Sequence, residues 1–163
     1  MTSDPLRRPP GYVADLRSTV GHRRLLLPAV SVHIRDEDSR LLLVYQRDRN
    51  QWGTVGGAIE PGESPAEAAV REASEETGLE VELTALAAAL GGEGFAMTYP
   101  NGDECAYISI VFDARVIGGQ LRPDGVEVSQ CEWFAPEDLA GTNIGDVSRS
   151  VLMAVGLLAV TTQ

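Results

Sequence analysis

The chain alternates apolar and polar residues from Ala29 to Arg35, then runs apolar from Leu41 to Tyr45, with the polar stretch Asp36-Glu37-Asp38-Ser39 between. That pattern predicts a β-hairpin near the start of the folded region. Upstream, Tyr12, Leu16 and Val20 recur every four residues, the spacing of a short amphipathic helix, while Met1 to Pro10 reads as a loose tail. Further strands are expected over Val81–Leu86, Gly94–Tyr99, Glu104–Val116 and Gln130–Phe134, with Pro100-Asn101-Gly102 as a turn between two of them. Ala135–Leu139 reads as a short helix and Val147–Val160 as a longer one. The best-marked element is a helix over Pro65–Thr77. Ser64 caps it, Pro65 suits its first position, Glu67 completes a Ser-x-x-Glu capping box and Gly78 stops it. The outcome is an α/β (α+β) class with a mixed sheet and helices against it. No repeat or linker divides the chain, so residues 11–163 are expected to form one domain after the 1–10 tail.

Composition narrows the picture. A hydrophobic fraction of 44% and a charged fraction of 23% are those of an ordinary globular protein. The longest apolar run, Val151–Val160, falls well short of the roughly 20 residues that cross a bilayer, and contains Gly156. The first ten residues lack the apolar core and cleavage site of a secretory signal, so a cytoplasmic location is expected. Cys105 and Cys131 have no metal-ligand spacing and read as plain buried thiols. His33, in the first hairpin strand, reads as structural. A net charge of −11 excludes a surface that coats nucleic acid, which needs a basic footprint, yet a small polyphosphate can bind where divalent cations separate the charges.

On the capped helix, Glu72, Glu75 and Glu76 stand at i, i+3 and i+4, which brings three carboxylates to one side of two turns. Alone, that pattern fits a solvated acidic face equally well. Ahead of it, Gly56-Gly57-Ala58-Ile59-Glu60-Pro61-Gly62-Glu63 is a glycine-rich loop that brings main-chain oxygens near a ligand and adds a fourth acid. Carboxylate and carbonyl oxygens are the donors that hard cations such as Mg²⁺ or Mn²⁺ take, and Mg²⁺ commonly joins carboxylates to phosphates. Arg71, four residues before Glu75, is placed to orient that acid.

Gly57, five residues, Glu63, seven residues, then Arg71-Glu72-Ala73-Ser74-Glu75-Glu76-Thr77-Gly78-Leu79 resembles the Nudix box at every charged and glycine position. Ala73 is smaller than the family's usual leucine or valine, and Val55 stands where many members have proline. The likeness extends over about Ala29 to Leu139, through Trp52 and Trp133-Phe134-Ala135-Pro136. The resemblance implies a mixed β-sheet sandwiched between helices, with the box as a loop-helix-loop. It implies hydrolysis of a diphosphate linkage by water attack on phosphorus, with Mg²⁺ or Mn²⁺ as cofactor and a small nucleotide-type diphosphate as substrate.

Carried over by position, Glu72 and Glu76 would be principal metal ligands and Glu75 a further ligand or general base. A Gly57 or Gly56 carbonyl would add another ligand, with Glu63 and Arg71 supporting. Members often supply one more acid ahead of the Trp-Phe strand; Glu127 is placed for it, with Glu104 and Glu132 as alternatives. Arg47 is a candidate for a substrate phosphate, and Trp52, Phe95, Tyr99 and Tyr107 are candidates for stacking on a base. Gly94 sits where ADP-ribose-cleaving relatives carry proline, which counts against ADP-ribose and leaves nucleoside triphosphates, oxidised nucleotides and nucleotide sugars open. Two other readings keep the fold: a catalytically silent nucleotide sensor, which usually loses box acids, and an isopentenyl-diphosphate isomerase, whose cysteine motif is not recognisable around Cys105 or Cys131. The N-terminal helix and the sheet edges offer surfaces for a homodimer.

Overall fold

The computed structural model describes residues 11–159. In chain order they form α1 (Tyr12–Val20), β1 (Leu25–Arg35), β2 (Leu41–Gln46), β3 (Gln51–Ala58), α2 (Pro65–Thr77), β4 (Leu79–Leu90), β5 (Ala96–Thr98), β6 (Glu104–Gly119), β7 (Val128–Phe134) and α3 (Asp146–Ala154). The expected N-terminal tail lies outside the described residues. One mixed sheet runs in the order β4-β6-β1-β3-β2-β7, with β5 on β6. The central β1–β6 pair is parallel, from Leu25↔Cys105 to Arg35↔Arg115, and the other pairs are antiparallel.

Period-two alternation places the two helices that cover the sheet. Val30, Val32, Ile34, Leu42 and Val44 face one way and pack with Ala68, Ala69 and Ala73 of α2. The intervening Leu41 and Leu43 face the other way and pack with Leu139, Ile144 and Leu152, the last on α3. The α+β architecture with a mixed sheet between helices is therefore the one expected. Among the described residues no helix is long and apolar enough to cross a membrane.

The expected β1–β2 hairpin is corrected by the topology. The two strands pair only at Arg35↔Leu41, and β3 inserts between them, pairing Ala29↔Ala58 on one side and Leu43↔Thr54 on the other. Gly53, Gly56 and Gly57 disguised β3 as loop, since glycine weakens a strand and commonly marks close backbone approach. Here Gly56 has φ +151, and a Cβ on it would fall 2.1 Å from the Val30 carbonyl oxygen. The other boundaries shift for local reasons. β4 extends to Leu90 because β6 pairs it through three register irregularities, carrying an alanine-rich segment of low strand preference. The Gly94–Tyr99 strand is reduced to a 3-10 turn at Glu93–Phe95 plus the short β5. Ala135–Leu139 is part of a 3-10 turn over Pro136–Gly141, and α3 stops at Ala154, two residues before Gly156 with φ +76.

His33 on β1 is fully buried, and neither ring nitrogen has a hydrogen-bond partner; the Asp113 carboxylate stands 3.7 Å from Nδ1. Burial lowers its pKa to about 4, against the opposing pull of Asp113. The unfolded chain therefore takes up this proton more readily than the folded one, so stability is lost as pH falls from the ordinary histidine value towards about 4. Between pH 7 and pH 4 the wild type is expected to lose about 3 kcal/mol more stability than His33→Leu, as measured by urea unfolding. Identical pH dependence in the two proteins would contradict the assignment.

Candidate active site

The site is organised by α2. Ser64 Oγ accepts the Glu67 N–H at 3.2 Å while the Glu67 carboxylate accepts the Ser64 N–H at 2.8 Å, and Gly78 ends the helix with φ +71. Both halves of the capping box are formed, fixing where the helix begins. Ala68, Ala69 and Ala73 are fully buried, so small side chains let α2 lie close to β1 and β3. Glu72 and Glu76 share this inward face, each one turn on from a buried alanine, and reach Gly57 and Gly56 near the end of β3, while Glu75 flanks them.

Arg71 is the hub of this acidic cluster. Its Nε and Nη2 donate to the two oxygens of Glu63 at 2.6 and 2.9 Å, and Nη2 also donates to the Ala58 carbonyl at 3.1 Å. Nη1 donates to Glu72 at 2.7 Å and Glu75 at 3.2 Å. The contact to Glu75 read from spacing is present, but the fork-to-carboxylate pair with Glu63 is the tighter one. Glu63 also accepts the Glu60 N–H at 3.0 Å, which ties the loop to the helix, and its hydrogen bonds from Arg71 hold its carboxyl below the usual range.

Glu76 is only 7% exposed, and one oxygen accepts the Gly56 N–H at 3.0 Å. Burial pushes its pKa well above the usual carboxylate value, with Glu72, Glu127 and Asp124 adding repulsion. Glu72 is raised chiefly by burial, which the Arg71 hydrogen bond and charge partly offset. A Cβ at position 57 would stand 2.4 Å from Glu72 Oε1, so glycine there lets the carboxylate close on the main chain. Among the described residues no three acid, cysteine or histidine side chains already converge on one point. The donor set nevertheless suits a hard cation. Buried carboxylates that repel one another are relieved by positive charge, and a carboxylate lies against a glycine main chain.

Glu72 and Glu76 border a cavity of about 710 Å³. Glu127, on the loop before β7, lines the cavity with Glu72 and Glu76. The Asp124 carboxylate shapes that loop, accepting the N–H groups of Val126, Glu127 and Val128 at 2.8, 3.0 and 2.9 Å. Sequence reasoning overlooked Asp124, although Pro123-Asp124-Gly125 is a turn signature that marks it. Arg47 braces the same loop. Its N–H bonds the Glu127 carbonyl at 3.0 Å, and its guanidinium bonds the Gly125 carbonyl at 2.6 Å.

The other candidates separate. Tyr99 and Tyr107 line the cavity with their hydroxyls 2.6 Å apart, and the overlooked Arg49 lies over the Tyr99 ring at 5.3 Å. Trp52 is corrected to a core role: it packs edge-on against Tyr45 and Phe134 at 5.2 and 4.9 Å and does not border the cavity. Phe95 is likewise core, buried with Val111 and Val151. Glu104 pairs with Arg24 at 3.1 Å and Glu132 is exposed on β7; neither borders the cavity. Cys105 is buried and Cys131 half-buried, both free thiols, and burial pushes Cys131 up to about 12.

Residues 25–154 match the family model described as NUDIX domain. The chain is 37% identical over 117 residues to an ADP-ribose pyrophosphatase of Methanocaldococcus jannaschii, covering 69% of this chain and 65% of that protein. It is 30% identical over 132 residues to the nucleoside triphosphatase NudI of Escherichia coli, covering 77% of this chain and 93% of the relative. The chain thus spans just under two thirds of the archaeal relative's length. Among solved structures, a MutT protein from Methanosarcina mazei superposes with a TM-score of 0.66 at 22% identity, covering 82% of this chain and 94% of that one, a likeness of fold.

The two glycines that end β3 are expected to respond differently to alanine. Gly56→Ala drives a methyl group into the Val30 backbone and should cost about 2 kcal/mol or more of stability. Gly57→Ala meets only the movable end of Glu72 and should leave the unfolding midpoint within a few degrees of wild type. Thermal melts of the two variants check this; equal losses would contradict it.

Proposed function

The chain belongs to the Nudix family, and from that premise we propose that it is a metal-dependent hydrolase that cleaves the diphosphate linkage of a nucleoside diphosphate joined to another group. The observation that carries the reading is that Glu72, Glu76 and Glu127 all line one cavity large enough for a nucleotide. Retention of every box acid favours hydrolysis over a silent nucleotide sensor. The relatives' names differ in substrate, ADP-ribose for one and nucleoside triphosphates for the other, so the proposal stops at the class.

In this reading Glu72, Glu76 and Glu75, with a main-chain oxygen of Gly57 or Gly56, hold Mg²⁺ or Mn²⁺. The bound cation supplies charge neutralisation on the diphosphate and lowers the pKa of water. Arg71 and Glu63 keep the helix and the loop in register, so the carboxylates are placed before substrate arrives. Glu127 faces the cavity from a loop fixed by Asp124 and Arg47 and takes the proton from the attacking water. Glu75, already accepting from Arg71, is the other candidate for that proton. Arg47 and Arg49 border the cavity and are suited to the phosphates and the attached group.

A panel of nucleoside triphosphates, oxidised nucleotides, nucleotide sugars and ADP-ribose, incubated with Mg²⁺ or Mn²⁺ and analysed by phosphorus NMR, tests the class. Products are expected to show cleavage within the diphosphate, lost on chelation and restored by added metal. Glu72→Gln and Glu76→Gln are each expected to lower kcat at least about 100-fold with the fold intact by circular dichroism. Glu127→Gln is expected to lose about 100-fold or more, the usual contribution of a general base. Ligand binding without turnover across the panel would favour the sensor instead.

A further inference from the structure

Helix α1 ends before the segment that matches the family model, which begins at residue 25, yet it forms part of the cavity wall through Gly11 and Val13. It buries no residue of its own, and nine residues alone make a marginal helix in water. Polar attachments near its two ends hold it. At the first, the Tyr12 N–H donates to Glu60 Oε2 at 3.2 Å, on the loop that follows Gly57 and Ala58. At the second, Arg17 reaches into the start of β6: Nη2 donates to the Glu104 carbonyl at 2.5 Å, and Nη1 to the carbonyls of Gly21 and Arg23 at 3.0 and 2.5 Å. The Arg17 side chain is only 12% exposed, and its Nε stands 3.7 Å from Asp103. Asp103 in turn accepts the Tyr99 N–H through its carbonyl at 2.8 Å and pairs with His22 at 2.7 Å.

The helix, about 13 Å long, therefore bridges the carboxylate-side loop and the turn that carries Tyr99. Val13 on α1 and Leu27, Tyr99, Tyr107 and Ser109 on the sheet side border the same space. Flat rings, apolar surface and hydroxyls suit an uncharged ring with hydrogen-bonding edges better than a further phosphate.

We propose that α1 is a strap that closes the cavity over the nucleoside part of the substrate, with Arg17 and Glu60 as positioning residues and Val13 as the residue facing the ligand. This rests on reading the site as one for nucleoside diphosphates. The strap contributes to holding the substrate and meets the carboxylate-side loop only through Glu60, so loosening its Arg17 end should act on KM rather than kcat.

Two variants and one exchange measurement test it. For the nucleotide that the wild type hydrolyses fastest, Arg17→Gln, which frees one end, should raise KM at least fivefold, and Val13→Trp, which fills the space, at least tenfold. Both should keep kcat within about twofold. In the wild type, saturating ADP with Mg²⁺ should slow amide hydrogen exchange across residues 12–20 at least tenfold, and Arg17→Gln should lose that protection. If Arg17→Gln fails to fold, Val13→Trp and wild-type exchange carry the test. KM within twofold of wild type in the folded variants, or exchange in α1 indifferent to ADP, overturns the strap. Protection by ADP in a protein that hydrolyses no nucleotide would overturn the hydrolase reading and leave the strap standing.

Discussion

One guanidinium makes the arrangement possible. Glu63, Glu72 and Glu75 are gathered within reach of Arg71, which also bonds the Ala58 carbonyl at the end of β3. Without that positive charge, acids brought this close would repel, and burial would penalise each charge further. Arg71 thus couples three elements: the strand end, the loop and α2. The packing on the same face of α2 agrees with it. Alanine at 68, 69 and 73 permits the close approach that lets one side chain span from helix to strand.

Glu76 lies beyond the direct reach of this hub and depends on other groups. Its carboxylate accepts the Gly56 N–H, at a position where a Cβ would strike the Val30 carbonyl, and Cys131 donates to its main-chain carbonyl at 3.6 Å. Burial keeps this carboxyl poised towards the neutral form when no cation is near. The cavity wall carries these crowded carboxylates together with the cations Arg47 and Arg49 and the uncharged Val13, Leu27, Tyr99, Tyr107 and Ser109. Acids suited to a cation and uncharged groups suited to a nucleoside thus share one wall.

The α2 helix and its caps were legible in the sequence because each signal there acts locally: a capping serine, a proline at the first position, a glycine at the stop. The carboxylates were legible because helical spacing alone determines which side they share. β3 was not, since its glycines lower local strand preference and only the partners on both sides, β1 and β2, make it a strand. Trp52 and Phe95 look like Tyr99 in one dimension; which aromatic faces a cavity is decided by tertiary packing. The part played by α1 was hidden for a similar reason. Periodicity predicted the helix, but its two attachments join residues 48 and 87 positions apart.

The central claim is that the acidic side of α2, assembled around Arg71 and closed against β3, holds a divalent cation. Titration of the nucleotide-free protein with Mn²⁺, followed by electron paramagnetic resonance of the free ion, measures this directly. The account predicts saturable binding to the wild type that Glu76→Gln weakens at least tenfold. Equal affinity in the two proteins would contradict it.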